Sequence, residues 1–128
     1  MTDILRMHPD RDTFDLAQLR AAIDAASACA STCASCADAC LRGDHPGEMV
    51  RCIDLCNQCA AICRTTADIL SRPGPNGDSW EEIVRACIAV CRECADECGG
   101  HDMDHCQACA QACRECAEAC EALLSVVD

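Results

Sequence analysis

Tyrosine and lysine are absent from this 128-residue chain, and tryptophan and phenylalanine occur once each. Without aromatic bulk the interior must be built from small residues, and alanine and cysteine supply much of the apolar fraction. All ten cationic residues are arginine, against 22 acidic ones, for a formal charge of −12. That balance leaves nothing to neutralise phosphates, which argues against nucleic acid and against an anionic membrane surface as partners. No run approaches the roughly 18 uninterrupted apolar residues of a transmembrane helix. The first residues, MTDILRMHPDRD, lack a basic region followed by an apolar one and lack a twin-arginine signal, so the expected address is the cytoplasm. There is no general-base constellation and no phosphate loop, and an enzyme is not expected.

What the chain has in excess is cysteine, 17 residues. Short cysteine-rich chains are disulfide scaffolds when secreted, but a reducing compartment keeps thiols free, and an odd count leaves one over. Metal binding therefore leads. The cysteines form four clusters of the pattern CxxxCxxCxxxC: Cys29, Cys33, Cys36, Cys40; Cys52, Cys56, Cys59, Cys63; Cys87, Cys91, Cys94, Cys98; and Cys109, Cys113, Cys116, Cys120, with Cys106 three residues ahead of the last. At about 100° per residue these steps hold each quartet within roughly 60° of one helix face. A strand would scatter them over both faces.

Chain breaks separate the stripes into four helices. The first is expected from Asp12 or Thr13 to Leu41, ending at the Gly43-Asp44-His45-Pro46-Gly47 break. Pro46 suits the first turn of the second, which should reach about Ser71. A linker over 72–78 follows; the third helix opens with Ser79 and Glu82 in capping-box spacing and stops at Gly99-Gly100. The fourth begins near Asp102 or Asp104 and runs towards Val126. Short connections favour antiparallel neighbours. The prediction is an all-α fold, an antiparallel four-helix bundle with a cysteine-lined core. It comprises one domain over 12–128, hairpins over about 12–71 and 79–126, and a flexible tail over 1–11.

The hairpins look like two copies of one unit, since CADAC at Cys36–Cys40 returns as CADEC at Cys94–Cys98. In the first, antiparallel register sets Cys40 by Cys52, Cys36 by Cys56, Cys33 by Cys59 and Cys29 by Cys63. In the second, Cys98 pairs with either Cys106 or Cys109: the first choice leaves Cys120 as an extra thiol deep in the bundle, the second leaves Cys106 at its end.

Buried free cysteine packs as a small hydrophobe, but packing does not call for cysteine at nearly every inward position of four helices. Thiolates select Cu(I), Zn²⁺ or iron–sulfur clusters. Zinc or iron–sulfur sites in layers would give about four metal sites, and a thiol/disulfide redox protein is a further alternative, although inward stripes suit neither CxxC exchange nor an exposed nucleophile. Charge separates these readings. Seventeen buried thiolates need compensation. Cu(I) carries one positive charge and accepts low coordination numbers, so about one ion per thiolate brings the core near neutral.

In these features the sequence resembles the Csp-type copper storage proteins, in their cytosolic branch. The resemblance runs from about Asp12 to Val126 and rests on the four CxxxCxxCxxxC helices, the short connections and His101-Asp102-Met103-Asp104-His105-Cys106. It implies a four-helix bundle filled with Cu(I), a homotetramer, and storage, buffering and detoxification in place of catalysis. With one ion per cysteine the load would be about 17–20 Cu(I) per chain, delivered or removed by a copper chaperone or small thiol.

The two ends of such a bundle differ. One gathers Cys40, His45, Cys52, Cys98, His101, Met103, His105 and Cys106. There His101, His105 and Met103 are candidate ligands that would receive Cu(I) and pass it inward to Cys106, Cys98 and Cys109. Asp102 is a weaker candidate, His45 is expected as an exposed loop residue, and His8 and Met7 fall in the tail. The opposite end has no quartet and collects Leu16, Leu19, Ile23, Ile69, Leu70, Trp80, Ile83, Val84, Leu123, Leu124 and Val126, which read as an apolar plug.

Overall fold

The computed structural model describes residues 3–73 and 79–127. A short helix α1 (Asp3–Arg6) and a 3₁₀ turn (Arg11–Thr13) precede four long helices: α2 (Leu16–Leu41), α3 (Val50–Leu70), α4 (Ser79–Gly99) and α5 (Asp104–Val127). Helix α2 starts later than its periodicity suggests because Phe14 is extended and Asp15 caps the end, its carboxylate accepting from the Gln18 amide at 3.0 Å. Pro46 opens a separate 3₁₀ turn, Pro46–Met49, before α3 begins. Most of the expected linker, 74–78, lies outside the described residues.

The stop at Gly99-Gly100 works differently from the usual left-handed glycine cap. Among the described residues no glycine has positive φ. At Gly99 the close neighbour is the Arg114 side chain: a Cβ would stand 2.9 Å from its Nη2, an atom at the end of a flexible side chain that can swing aside. Gln107 then fastens the turn, donating to the carbonyls of His101 (2.7 Å) and Gly99 (3.1 Å).

Helices α2 and α3 pack as one hairpin, α4 and α5 as the other, and α2 with α5 and α3 with α4 close the square. Alanines such as Ala30, Ala37, Ala60, Ala95, Ala110 and Ala117 are buried beside the cysteines and let the helices approach closely. All 17 cysteines point inward, buried and free. Outside, Arg51 bridges to Glu97 across α3 and α4 at 3.2 Å, and Arg92 pairs with Glu121 across α4 and α5. Among the described residues no helix is long and apolar enough to cross a membrane.

Beyond the last cysteines, Leu19, Ile23, Leu70, Val84, Leu123 and Leu124 are buried, with Leu16 and Trp80 packed against them. Val126 departs from the expected plug: it is 47% exposed, on the outer face of the last turn. Ile83 lies on an outer groove with Ile62 and Val90. Within the segment 1–11 expected as a tail, Leu5 is 2% exposed and joins the core, and His8 meets Phe14 edge-on. Phe14, Leu19, Ile69, Leu70, Trp80 and Leu123 line a cavity of about 320 Å³ at this end.

Candidate metal centre

Four inward stripes at helical spacing bring their sulfurs together on the bundle axis. Neighbouring helices touch through Cys52–Cys98 (3.3 Å), Cys56–Cys98 (3.5 Å), Cys33–Cys109 (3.6 Å) and Cys63–Cys91 (3.6 Å). Contact also crosses the diagonal, from Cys59 on α3 to Cys113 on α5 at 3.8 Å. Such crossing is possible only because the side chains are short. The sulfurs form overlapping quartets with all four atoms within 4.8 Å, among them Cys29, Cys33, Cys59 and Cys113; Cys36, Cys56, Cys98 and Cys109; and Cys29, Cys63, Cys91 and Cys116, one from each long helix.

The second hairpin's register is resolved by geometry. Cys98 meets Cys109 at 3.8 Å, and Cys106 instead reaches across to Cys40 at 3.9 Å. Cys106 therefore sits at the end of the column, and Cys120 takes its place opposite Cys87.

The two histidines of the α4–α5 turn face different surroundings. His105 Nδ1 lies 3.5 Å from Cys36 Sγ and 3.6 Å from Cys106 Sγ, forming with Cys40 a set of four donors within 4.8 Å. His101 turns its Nε2 to the Glu97 carboxylate at 2.7 Å, and Arg51 holds the other carboxylate oxygen. Met103 is 38% exposed, and Asp102 and His45 are exposed. Sequence reasoning did not pick out Glu97 or Arg51; the visible signal was Glu97 four residues before His101, one helical turn away.

Ionising thiols in this column is difficult in a way that follows position. At the histidine end burial dominates: it pushes the Cys40 thiol up to about 12 and raises Cys52 and Cys106 as well. In the middle the shifts alternate, because a sulfur that receives S–H bonds ionises at its neighbours' expense. Cys29 and Cys109 are lowered, each first by contact with Cys113, and Cys33 and Cys113 are raised, each first by contact with Cys109. Cys36 comes down to about 6: contact with Cys109 raises it, but contacts with Cys56, Cys98 and His105 outweigh that and burial together. An uncompensated buried ion costs several kcal/mol, so most of the column keeps its protons until a cation replaces them.

Comparison with known proteins agrees with this architecture. The copper storage protein family, Csp, matches residues 15–125. The copper storage protein Ccsp of Streptomyces lividans, solved with 10 copper equivalents, is 38% identical with a TM-score of 0.93, the alignment covering 97% of each chain. A cytosolic copper storage protein from Streptomyces lividans, solved with five coppers, is 38% identical over 84% of this chain and 92% of its own, at a TM-score of 0.81. Cu(I)-bound BsCsp3, from Bacillus subtilis, is 37% identical over 83% of this chain and 97% of its own, at a TM-score of 0.76. With its four thiol stripes, its continuous sulfur column and these likenesses, the chain belongs to the Csp copper storage protein family.

Proposed function

We propose that the chain is a cytoplasmic, non-enzymatic Cu(I) reservoir in which the 17 cysteines hold the metal. His105 and His101 serve at the mouth, with Met103 as an outlying soft donor. The observation that carries the reading is the sulfur column itself: every cysteine is buried and free, in contact with sulfurs of other helices. One monovalent ion per thiolate neutralises such a column, and the histidine and methionine donors at the mouth add room for a few more, for a capacity of about 17–20 Cu(I) per chain. Copper enters and leaves at the end carrying Cys40, Cys106 and His105, because beyond the last cysteines at the other end lie buried Leu19, Leu70, Val84 and Leu123, which offer copper no donor. The family resemblance supports a homotetramer supplied by a copper chaperone or small thiol. The two hairpins act as one storage domain.

The test is an anaerobic titration of the reduced protein with Cu(I) against a competing chelator, reading metal bound per chain. A plateau near one ion per cysteine is expected. A plateau near four would overturn the reservoir and leave a layered structural metal bundle.

A further inference from the structure

The quartets of metal donors are not chemically alike. Cys29, Cys33, Cys59 and Cys113, and likewise Cys36, Cys56, Cys98 and Cys109, are all sulfur, whereas Cys36, Cys40 and Cys106 at the end of the column are joined by His105. Three thiols and one imidazole is a donor set that closes a tetrahedron around zinc. Bond lengths of about 2.3 Å to sulfur and about 2.0–2.1 Å to nitrogen give tetrahedron edges of about 3.8 Å between sulfurs and about 3.5–3.6 Å between sulfur and nitrogen. In the structure Nδ1 of His105 stands 3.5 Å from Cys36 Sγ and 3.6 Å from Cys106 Sγ, and Cys40 Sγ stands 3.9 Å from Cys106 Sγ. These three edges have the right lengths before any ion arrives. Sulfurs also pack at such separations without a metal, so the distinguishing feature is the imidazole nitrogen, set at tetrahedral distance from two sulfurs at once.

Charge selects the same quartet. A divalent ion among four thiolates leaves two negative charges in a fully buried layer; among three thiolates and a neutral imidazole it leaves one. That one sits at the end of the column, beside a half-buried His105. Cu(I) is satisfied by two or three of these donors, whereas a four-coordinate ion uses all of them.

We propose that Cys36, Cys40, Cys106 and His105 form a site for one tetrahedral divalent ion of the zinc class, occupied when copper is scarce and vacated when Cu(I) displaces the ion. The bound ion ties α2 to α5 at the mouth and closes the column. His101, turned towards Glu97, takes no part.

Cobalt(II), which has visible d–d bands when tetrahedral with thiolate ligands, is the probe. Reduced, metal-free protein is titrated anaerobically with Co²⁺ and then with Zn²⁺ or Cu(I). The expected result is tetrahedral thiolate bands that plateau at one ion per chain and are bleached by either competitor. His105→Ala should weaken Co²⁺ binding by at least about tenfold, and His45→Ala should leave it unchanged. Helicity by circular dichroism checks that the variants fold. Should His105→Ala unfold, His105→Cys should keep one ion, with its bands moved to those of an all-sulfur site. Absence of tetrahedral bands, a plateau of three or more ions, or a spectrum that His105→Ala leaves unchanged each overturns the proposal. None of these outcomes depends on the Cu(I) capacity, which tests the reservoir separately.

Discussion

The two ends of the bundle are built from the same four helices and differ in almost everything else. At one end the helix termini carry Cys40, Cys52, Cys98 and Cys106, capped by His105 and by the Glu97–His101 pair. At the other the cysteine stripe gives way to Leu19, Ile23, Leu70, Val84, Leu123 and Leu124, with Leu5 folded over from the N-terminal segment. One end is held by chemistry that metal can exploit, the other by side-chain volume alone. Metal loading should therefore strengthen the thiol end and the column and leave the leucine end dependent on packing.

Leu123→Ala offers the strongest challenge to that contrast. Leu123 is 3% exposed and lines the terminal cavity, so truncation removes buried apolar contacts and enlarges a void already present. A loss of about 2–3 kcal/mol in the metal-free protein is expected, read by denaturant unfolding with the thiols kept reduced. The Cu(I) plateau should not change. A reduced plateau would mean that the leucine end also takes part in metal binding.

A pH series sharpens the thiol side. Cys40, Cys52 and Cys106 are raised by burial, so they are protonated at neutral pH and each must release its proton when metal binds. Apparent Cu(I) affinity should then rise with pH by up to about tenfold per unit for each proton released. Because the Cys40 thiol sits near 12, the rise should continue beyond the ordinary cysteine range. Chelator competition across the neutral and alkaline range measures this, and an affinity independent of pH would contradict it.

The smallest effect concerns Glu97. Its partner Arg51 is largely exposed, so Glu97→Ala should shift stability by less than about 1 kcal/mol. The same change frees Nε2 of His101. Nitrogen-15 NMR of the imidazole should show one tautomer held in the parent and a mixture in the variant; the same mixture in both would show that the carboxylate does not orient the ring.

Much of this was readable from residue spacing. The 4-3-4 step of the cysteines dictates a helical stripe, and the breaks at Gly43–Gly47 and Gly99-Gly100 mark the hairpin turns, so the bundle and the first hairpin's register follow from periodicity. The partner of Cys98 did not follow, because Cys106 and Cys109 are three residues apart and lie on one face; only the tilt and packing of α5 against α2 distinguish them. Leu5 was invisible for the opposite reason, being a single apolar anchor with no repeat around it. The different surroundings of His101 and His105 depend on a tertiary pair, Arg51 with Glu97, that joins two helices far apart in sequence.

A tube sealed by leucine at one end behaves as a stack, in the sense of a memory that is written and read through the same port. With copper passing only through the His105 end, as proposed above, ions that enter first would travel furthest towards Cys87 and Cys120, and those that enter last would lie nearest the exit. Withdrawal then reverses deposition. On that reading an isotopic pulse should exchange fast from a recent fraction near the mouth and slowly from an older one below it, turnover declining with depth.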